Sequence, residues 1–304
     1  MTQLLTRRDF ALSSAGLAAS SLLPLGAWAQ GPDASLITRA IPGSGERVPV
    51  VGLGTASVFD DSDDATRRAA GAVIKTLADA GGRIIDTAST YGSAETVIGD
   101  VVAAAGLRGR IFIATKLEAP DAAELKRSLA RLKTSTLDLL QLHNLRDPQQ
   151  SLAAFRDWKA QGICRYTGIT STFHGDFAAV EAVLRREKQD FVQFDYSLDD
   201  REAEKRLLPA AAEVKAGVLT ALPFGRGRLF RAVRGSALPP WAADFDARSW
   251  AQFFLKYLLG DPRVTAVIPG TSDPAHMADN LGAARGRLPD PGQRQKMIAL
   301  IEGL

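Results

Sequence analysis

From about residue 36 onward, short apolar runs alternate with longer stretches whose apolar residues recur at helical spacing. The short runs are Val50 to Leu53, Arg83 to Asp86, Ile111 to Thr115, Leu137 to Leu142, Tyr166 to Thr170, Phe191 to Phe194, Val218 to Leu222 and Ala266 to Pro269. Their length and continuous apolarity predict strands buried on both faces of a parallel sheet. Between them, Asp63 to Ala80 carries apolar residues at Ala69, Val73, Leu77 and Ala80 and stops at Gly81-Gly82, a helix-ending pair. Further helices are predicted near Ala94 to Ala105, Ala122 to Leu132, Leu152 to Ala160, Phe177 to Arg186, Ala203 to Ala216, Ser249 to Leu259 and Ala275 to Ala284. Eight such strands alternating with eight helices predict a (β/α)8 TIM barrel, with a doubly wound sheet as the alternative.

Two pieces fall outside the repeat. Leu36 to Arg39 and Arg47 to Pro49 flank Pro42-Gly43-Ser44-Gly45 and read as a short N-terminal hairpin that plugs the barrel's N-terminal end. Phe224 to Trp241, rich in Gly, Arg and Pro, reads as a long binding loop, and Gln293 to Ile301 as a C-terminal helix.

The first 29 residues have a different character. Arg7-Arg8 precede a weakly apolar run, Ala11 to Leu25, and the small-x-small triplet Ala27-Trp28-Ala29. That is the pattern of a Tat-type signal peptide, with the Tat translocase as partner and a periplasmic address for residues 30–304. The run is too short and too dilute in Ser, Gly and Ala to span a bilayer, so no stable membrane span is expected in the mature chain.

Composition narrows the chemistry. A formal charge of +3 without a Lys/Arg block on one helix face gives no footprint for nucleic acid. The single cysteine, Cys164, excludes an internal disulfide, and three histidines without i, i+4 spacing give no zinc motif, so no metal is expected.

Four polar residues stand where apolar runs end. Asp86 closes RIID, Tyr91 follows in DTASTYG, Lys116 follows IFIAT, and His143 follows LDLLQL. Singly, each has an ordinary reading as a helix cap, a packed aromatic, a surface charge or a core imidazole. In a barrel, however, side chains at the C-terminal strand ends converge on one rim, so the four together predict a proton-transfer site.

These residues carry a family resemblance. The stretches VVGLGT, GGRIIDTASTYGSAETVIG, IFIATK, LDLLQLHN, GICRYTGIT, VQFDYS and VIPGTSDPAHMADNL together resemble the aldo-keto reductases over nearly the whole chain after residue 30. The resemblance implies an NAD(P)-dependent oxidoreductase that reduces a small-molecule carbonyl, an aldehyde or ketone, by hydride transfer from NADPH or NADH. Tyr91 would be the general acid, Lys116 and Asp86 would tune its proton affinity, and His143 would aim the substrate oxygen. The cofactor would be held by Gly54, Thr55, Asp86, Thr170, Ser171, Gln193, Leu222, Phe224, Gly225, Thr271, Ser272, His276 and Asn280.

The cofactor positions also depart from the family pattern. Thr170-Ser171 replaces the usual Ser-Asn, and Ala221 stands where a ring would stack on the nicotinamide, leaving Phe224 to supply one. Gly270 and His276 replace the Lys and Arg that clamp the 2′-phosphate, with Arg226 and Arg228 as substitutes from the long loop. The resemblance favours NADP, and these departures weaken that preference. They also motivate an alternative, a non-catalytic exported barrel acting as a binding or accessory protein with an eroded nucleotide site.

Overall fold

The computed structural model describes residues 35–304. The leader expected at residues 1–29 lies outside the described residues. Ten strands run in order: β1 (Thr38–Ala40), β2 (Arg47–Pro49), β3 (Leu53–Gly54), β4 (Ile84–Asp86), β5 (Phe112–Leu117), β6 (Leu137–Leu142), β7 (Cys164–Ser171), β8 (Phe191–Asp195), β9 (Gly217–Ala221) and β10 (Ala266–Val267). The helices are α1 (Asp64–Asp79), α2 (Ala94–Ala104), α3 (Ala122–Arg131), α4 (Pro148–Ala160), α5 (Phe177–Glu187), α6 (Glu202–Lys205), α7 (Leu207–Val214), α8 (Arg228–Ala232), α9 (Trp250–Leu259), α10 (Pro274–Gly282) and α11 (Pro291–Glu302).

Strands β3 to β10 pair in sequence order, all parallel. Parallel bridges Val51 to Val267 and Gly54 to Gly270 join the first of these strands to the last, so the sheet closes on itself. This is the (β/α)8 barrel that the alternation predicts. Neighbours in sequence become neighbours in space because each helix returns the chain to the N-terminal end of the next parallel strand.

Alternate residues of each strand point inward. Ile84, Phe112, Ala114, Leu139, Tyr166, Phe191, Leu219, Ala266 and Ile268 form one interior cluster, joined by Ile41 and Val48 of the hairpin segment. Strands β1 and β2 thus stopper the N-terminal end, and the Tyr166 hydroxyl donates to Ser44 Oγ (2.9 Å) or to Glu46 Oε2 (2.7 Å) there. The opposite residues of the strands face the helices in a larger shell, with Phe155, Phe194, Phe253 and Tyr257 fully buried.

The structure corrects four details. The helix predicted over Ala203 to Ala216 is two helices, α6 and α7, because Pro209 has no N–H to give the Lys205 carbonyl and Arg206 leaves helical geometry. The segment Phe224 to Trp241 is not an open loop: it holds a tight turn at Gly225–Gly227 and helix α8. Trp250 Nε1 then ties it down by donating to the Ser236 carbonyl (2.9 Å). Leu222 falls outside β9, at φ 52°, where the chain turns out of the sheet. The C-terminal helix begins earlier than predicted, at Pro291, behind a capping box between Asp290 and Gln293. Among the described residues no helix is long and apolar enough to cross a membrane.

Candidate active site

The interior alternation that places Phe112 and Ala114 in the barrel also turns Lys116 inward, two residues further along β5. The same step carries β4 from Ile84 to Asp86, β6 from Leu139 to Gln141 and β8 from Phe191 to Gln193. The barrel is therefore apolar at its stoppered end and polar in its last layer, toward the C-terminal rim.

Asp86 and Lys116 are almost fully buried, at 4% and 2% exposure. Lys116 Nζ donates to Asp86 Oδ2 at 2.6 Å and to the Thr87 carbonyl at 2.8 Å. Burial by itself disfavours the ammonium, but the negative charge of Asp86 and the neighbouring Tyr91 outweigh it and hold Lys116 above the ordinary lysine range. Tyr91, half-buried in the loop after β4, sets its ring centroid 5.3 Å from that nitrogen. His143, in the turn that follows β6, meets the Tyr91 ring edge to face with centroids 5.7 Å apart. Burial, then the positive charges of Lys116 and Arg146, push His143 down to about 4, so its imidazole is neutral at physiological pH. Its Nδ1 lies 3.4 Å from Thr90 Oγ1.

All four residues line a cavity of about 390 Å³ at the C-terminal rim. Of the residues expected to hold the cofactor, Gly54, Thr55, Thr170, Gln193, Leu222 and Phe224 share its wall. A second cavity of about 430 Å³ adjoins it through Phe224 and Gly270 and is lined by Thr271, His276 and Asn280. Among the described residues its wall contains Asp279 and no lysine or arginine.

Three predicted residues sit differently. Ser171 follows the inward Thr170 and so faces away from the barrel axis; fully buried, it donates to Asp176 Oδ2 (2.8 Å) and accepts from the Phe173 amide (3.1 Å). Gly225 lies beneath the rim at φ +56°, where a β-carbon would come within 2.7 Å of the Asp199 carboxylate. Ser272 is exposed and lines neither cavity.

Conversely, the first cavity gains Ala56, Asn144, Thr172 and Gly227, which sequence reasoning did not single out, and Arg226, which it named as a substitute. Asn144 takes a left-handed φ of 56°, a conformation that asparagine tolerates better than most residues. Ala221 lines the cavity with no ring, and Phe224, packed 4.8 Å from Phe230, is the aromatic wall shared by both cavities.

One group of described residues could hold a metal ion: the ligand atoms of His174, Asp195 and Asp200 lie within 4.8 Å of one another. His174 Nε2 lies 3.0 Å from Asp200 Oδ2, and none of the three lines the cavity that holds Tyr91.

The model of the aldo/keto reductase family matches residues 50–293. The chain belongs to the aldo/keto reductase family. It is therefore an oxidoreductase. This reductase is 29% identical to a methylglyoxal reductase of Escherichia coli over 77% of the chain and 84% of that relative. It is 30% identical to an aldo-keto reductase of Mycobacterium avium over 77% of the chain and 80% of that protein. Among solved structures, it resembles an aldo-keto reductase of Klebsiella pneumoniae determined in complex with NADPH. That likeness has a TM-score of 0.74 and 26% identity, over 88% of this chain and 95% of the other.

Proposed function

We propose that the chain reduces the carbonyl of a small aldehyde or ketone to an alcohol, with Tyr91 as the proton donor. The observation that carries this reading is the convergence of Tyr91, His143 and the buried Lys116–Asp86 pair on one cavity. A nicotinamide dinucleotide supplies the hydride when bound. The two adjoining cavities fit such an elongated ligand, and Gln193 and Thr170 offer amide and hydroxyl groups of the kind that hold a carboxamide.

Lys116, charged and immobile, stabilises the phenolate that Tyr91 becomes as it gives its proton to the carbonyl oxygen. Asp86 keeps the ammonium in place. Neutral His143 orients the same oxygen by donating a hydrogen bond and takes no part in the proton balance. Solvent at the cavity mouth returns a proton to Tyr91.

NADPH is the cofactor favoured, on the family and on the NADPH held by the Klebsiella pneumoniae neighbour. With no cation among the described residues lining the second cavity, discrimination against NADH is expected to stay below about tenfold, less than one charge-assisted contact provides. The test is turnover of a carbonyl panel, methylglyoxal included, followed through loss of the reduced nucleotide, with Tyr91→Phe as control. Nucleotide binding without turnover would instead support an accessory role.

We also infer export of the folded protein to the periplasm through the Tat route, on Arg7-Arg8 and the apolar run that follows. Replacing both arginines by lysine should leave the protein in the cytoplasmic fraction; unchanged fractionation would sink this reading.

A further inference from the structure

Gln141 lies in the last inward position of β6, in register with Lys116 of β5, and is wholly buried. In an apolar barrel a leucine would pack there without the cost of a buried amide. Its Nε2 faces two acceptors, Asp86 Oδ1 at 3.3 Å and Gln193 Oε1 at 3.2 Å. Gln193 Nε2 in turn donates to Asp86 Oδ2 at 3.0 Å, the oxygen that also receives Lys116. The amide orientations follow from the carboxylate: Asp86 only accepts, so both glutamines must present nitrogen to it.

Two further observations mark the position as built. Among the described residues Gln141 is the side-chain donor to the other oxygen of Asp86, so the carboxylate is held from both sides, by Gln141 on one oxygen and by Lys116 and Gln193 on the other. On the neighbouring strand Gly168 stands in register with Gln141, and a β-carbon there would come within 3.2 Å of Gln141 Cγ and 2.9 Å of the Phe191 carbonyl oxygen. The glycine clears room for the Gln141 side chain and for the Phe191 backbone beside it. The Gln141 carbonyl oxygen remains buried without a partner, a cost that hydrophobic packing would not incur.

We propose that Gln141 is a positioning residue for the reduction, holding the Asp86 carboxylate in the rotation that grips Lys116 and joining it to Gln193. It acts through these partners and does not touch the carbonyl. The proposal rests on the reductase reading above. It implies that proton delivery and the Gln193 amide, which would hold a carboxamide, are mechanically one unit.

The test compares wild type with Gln141→Leu and Gln141→Glu in steady-state reduction across pH, with folding checked by circular dichroism. Leucine removes the side-chain donor to one Asp86 oxygen; kcat should fall about tenfold while KM for the carbonyl changes less than about twofold, the signature of a group that acts on the chemical step. Glutamate is the same shape but donates only while protonated. Its activity should approach wild type near about pH 5 and fall as that carboxyl ionises beside Asp86, a pH dependence absent from the parent. A merely space-filling Gln141 would produce no such profile.

A leucine variant with wild-type kcat, or a glutamate variant with the wild-type pH profile, overturns the proposal. If the leucine variant does not fold, the glutamate profile decides alone. Failure of the underlying reading shows itself separately, as a wild-type protein that binds nucleotide yet reduces no carbonyl, and the proposal falls with it.

Discussion

Lys116 Nζ sits 2.6 Å from Asp86 Oδ2, both groups sealed within the barrel, so each charge is tolerated only because of the other. Attraction in this low-dielectric layer offsets desolvation only while the pair is intact. Lys116→Met should therefore cost about 3–5 kcal/mol of stability by stranding the carboxylate, besides lowering reduction. Tyr91→Phe should leave stability within about 1 kcal/mol of wild type yet reduce kcat by about 10² to 10⁴, since only the proton donor is lost. Chemical denaturation and turnover measured on the same samples separate the two effects. Equal stability losses in both variants would contradict the assignment.

His143 should make the fold sensitive to mild acid. Its folded-state value of about 4 lies below the ordinary 6.5, so the unfolded chain takes up a proton first. Stability from this group is complete above pH 6.5 and is lost as pH falls toward 4, by up to about 3 kcal/mol, following the linkage of proton uptake to unfolding. His143→Gln should flatten the denaturation midpoint across that window. Nuclear magnetic resonance titration of the ring provides the direct check, and a midpoint near 6.5 would overturn the account.

Asp195 should act in the opposite sense. Burial, then the nearby Asp200 charge, push its carboxyl up to about 6, and Oδ1 has no hydrogen-bond partner. Its contribution is favourable below the ordinary value of 3.8 and is lost as pH rises through about 6. Near the partly open rim, solvent reduces the effect to about 1 kcal/mol. Asp195→Asn should raise the melting temperature at pH 8 and leave it unchanged at pH 4, as read by thermal melts.

Ser171 and Ala221 should respond differently to substitution. Ser171→Ala removes the hydroxyl that bridges Asp176 and the Phe173 amide, so it should cost about 1 kcal/mol of stability and leave the nucleotide Kd unchanged.

Ala221→Tyr adds a ring to the cavity wall and should tighten nucleotide binding about two- to tenfold, the worth of one stacked aromatic pair. Fluorescence titration checks both variants. No gain from the tyrosine would mean that Phe224 already supplies the stacking surface.

The barrel and its four rim residues were legible because parallel strands read as continuous apolar runs, and a charged side chain at the end of such a run has only the rim to occupy. Strand phase was the less visible signal. Thr170 and Ser171 are adjacent and chemically alike, yet period-two alternation sends one inward and the other toward α5. The same alternation, counted two residues on from Leu139, would have found Gln141 as a polar residue on an interior position. Pro209 in the first turn of α7 likewise announced the break that the apolar pattern concealed. Thr172 and Asn144 carried no periodic signal, since loop geometry alone brings them to the cavity.

The stopper formed by the N-terminal hairpin gives the barrel one open end. Ile41 and Val48, packed against Phe112, Tyr166 and Phe191, leave a dry plug beneath the polar layer. In the proposed reaction, protons would enter through the same rim as substrate and nucleotide. Whatever occupies the mouth would then also set the rate at which Tyr91, the proposed proton donor, recharges.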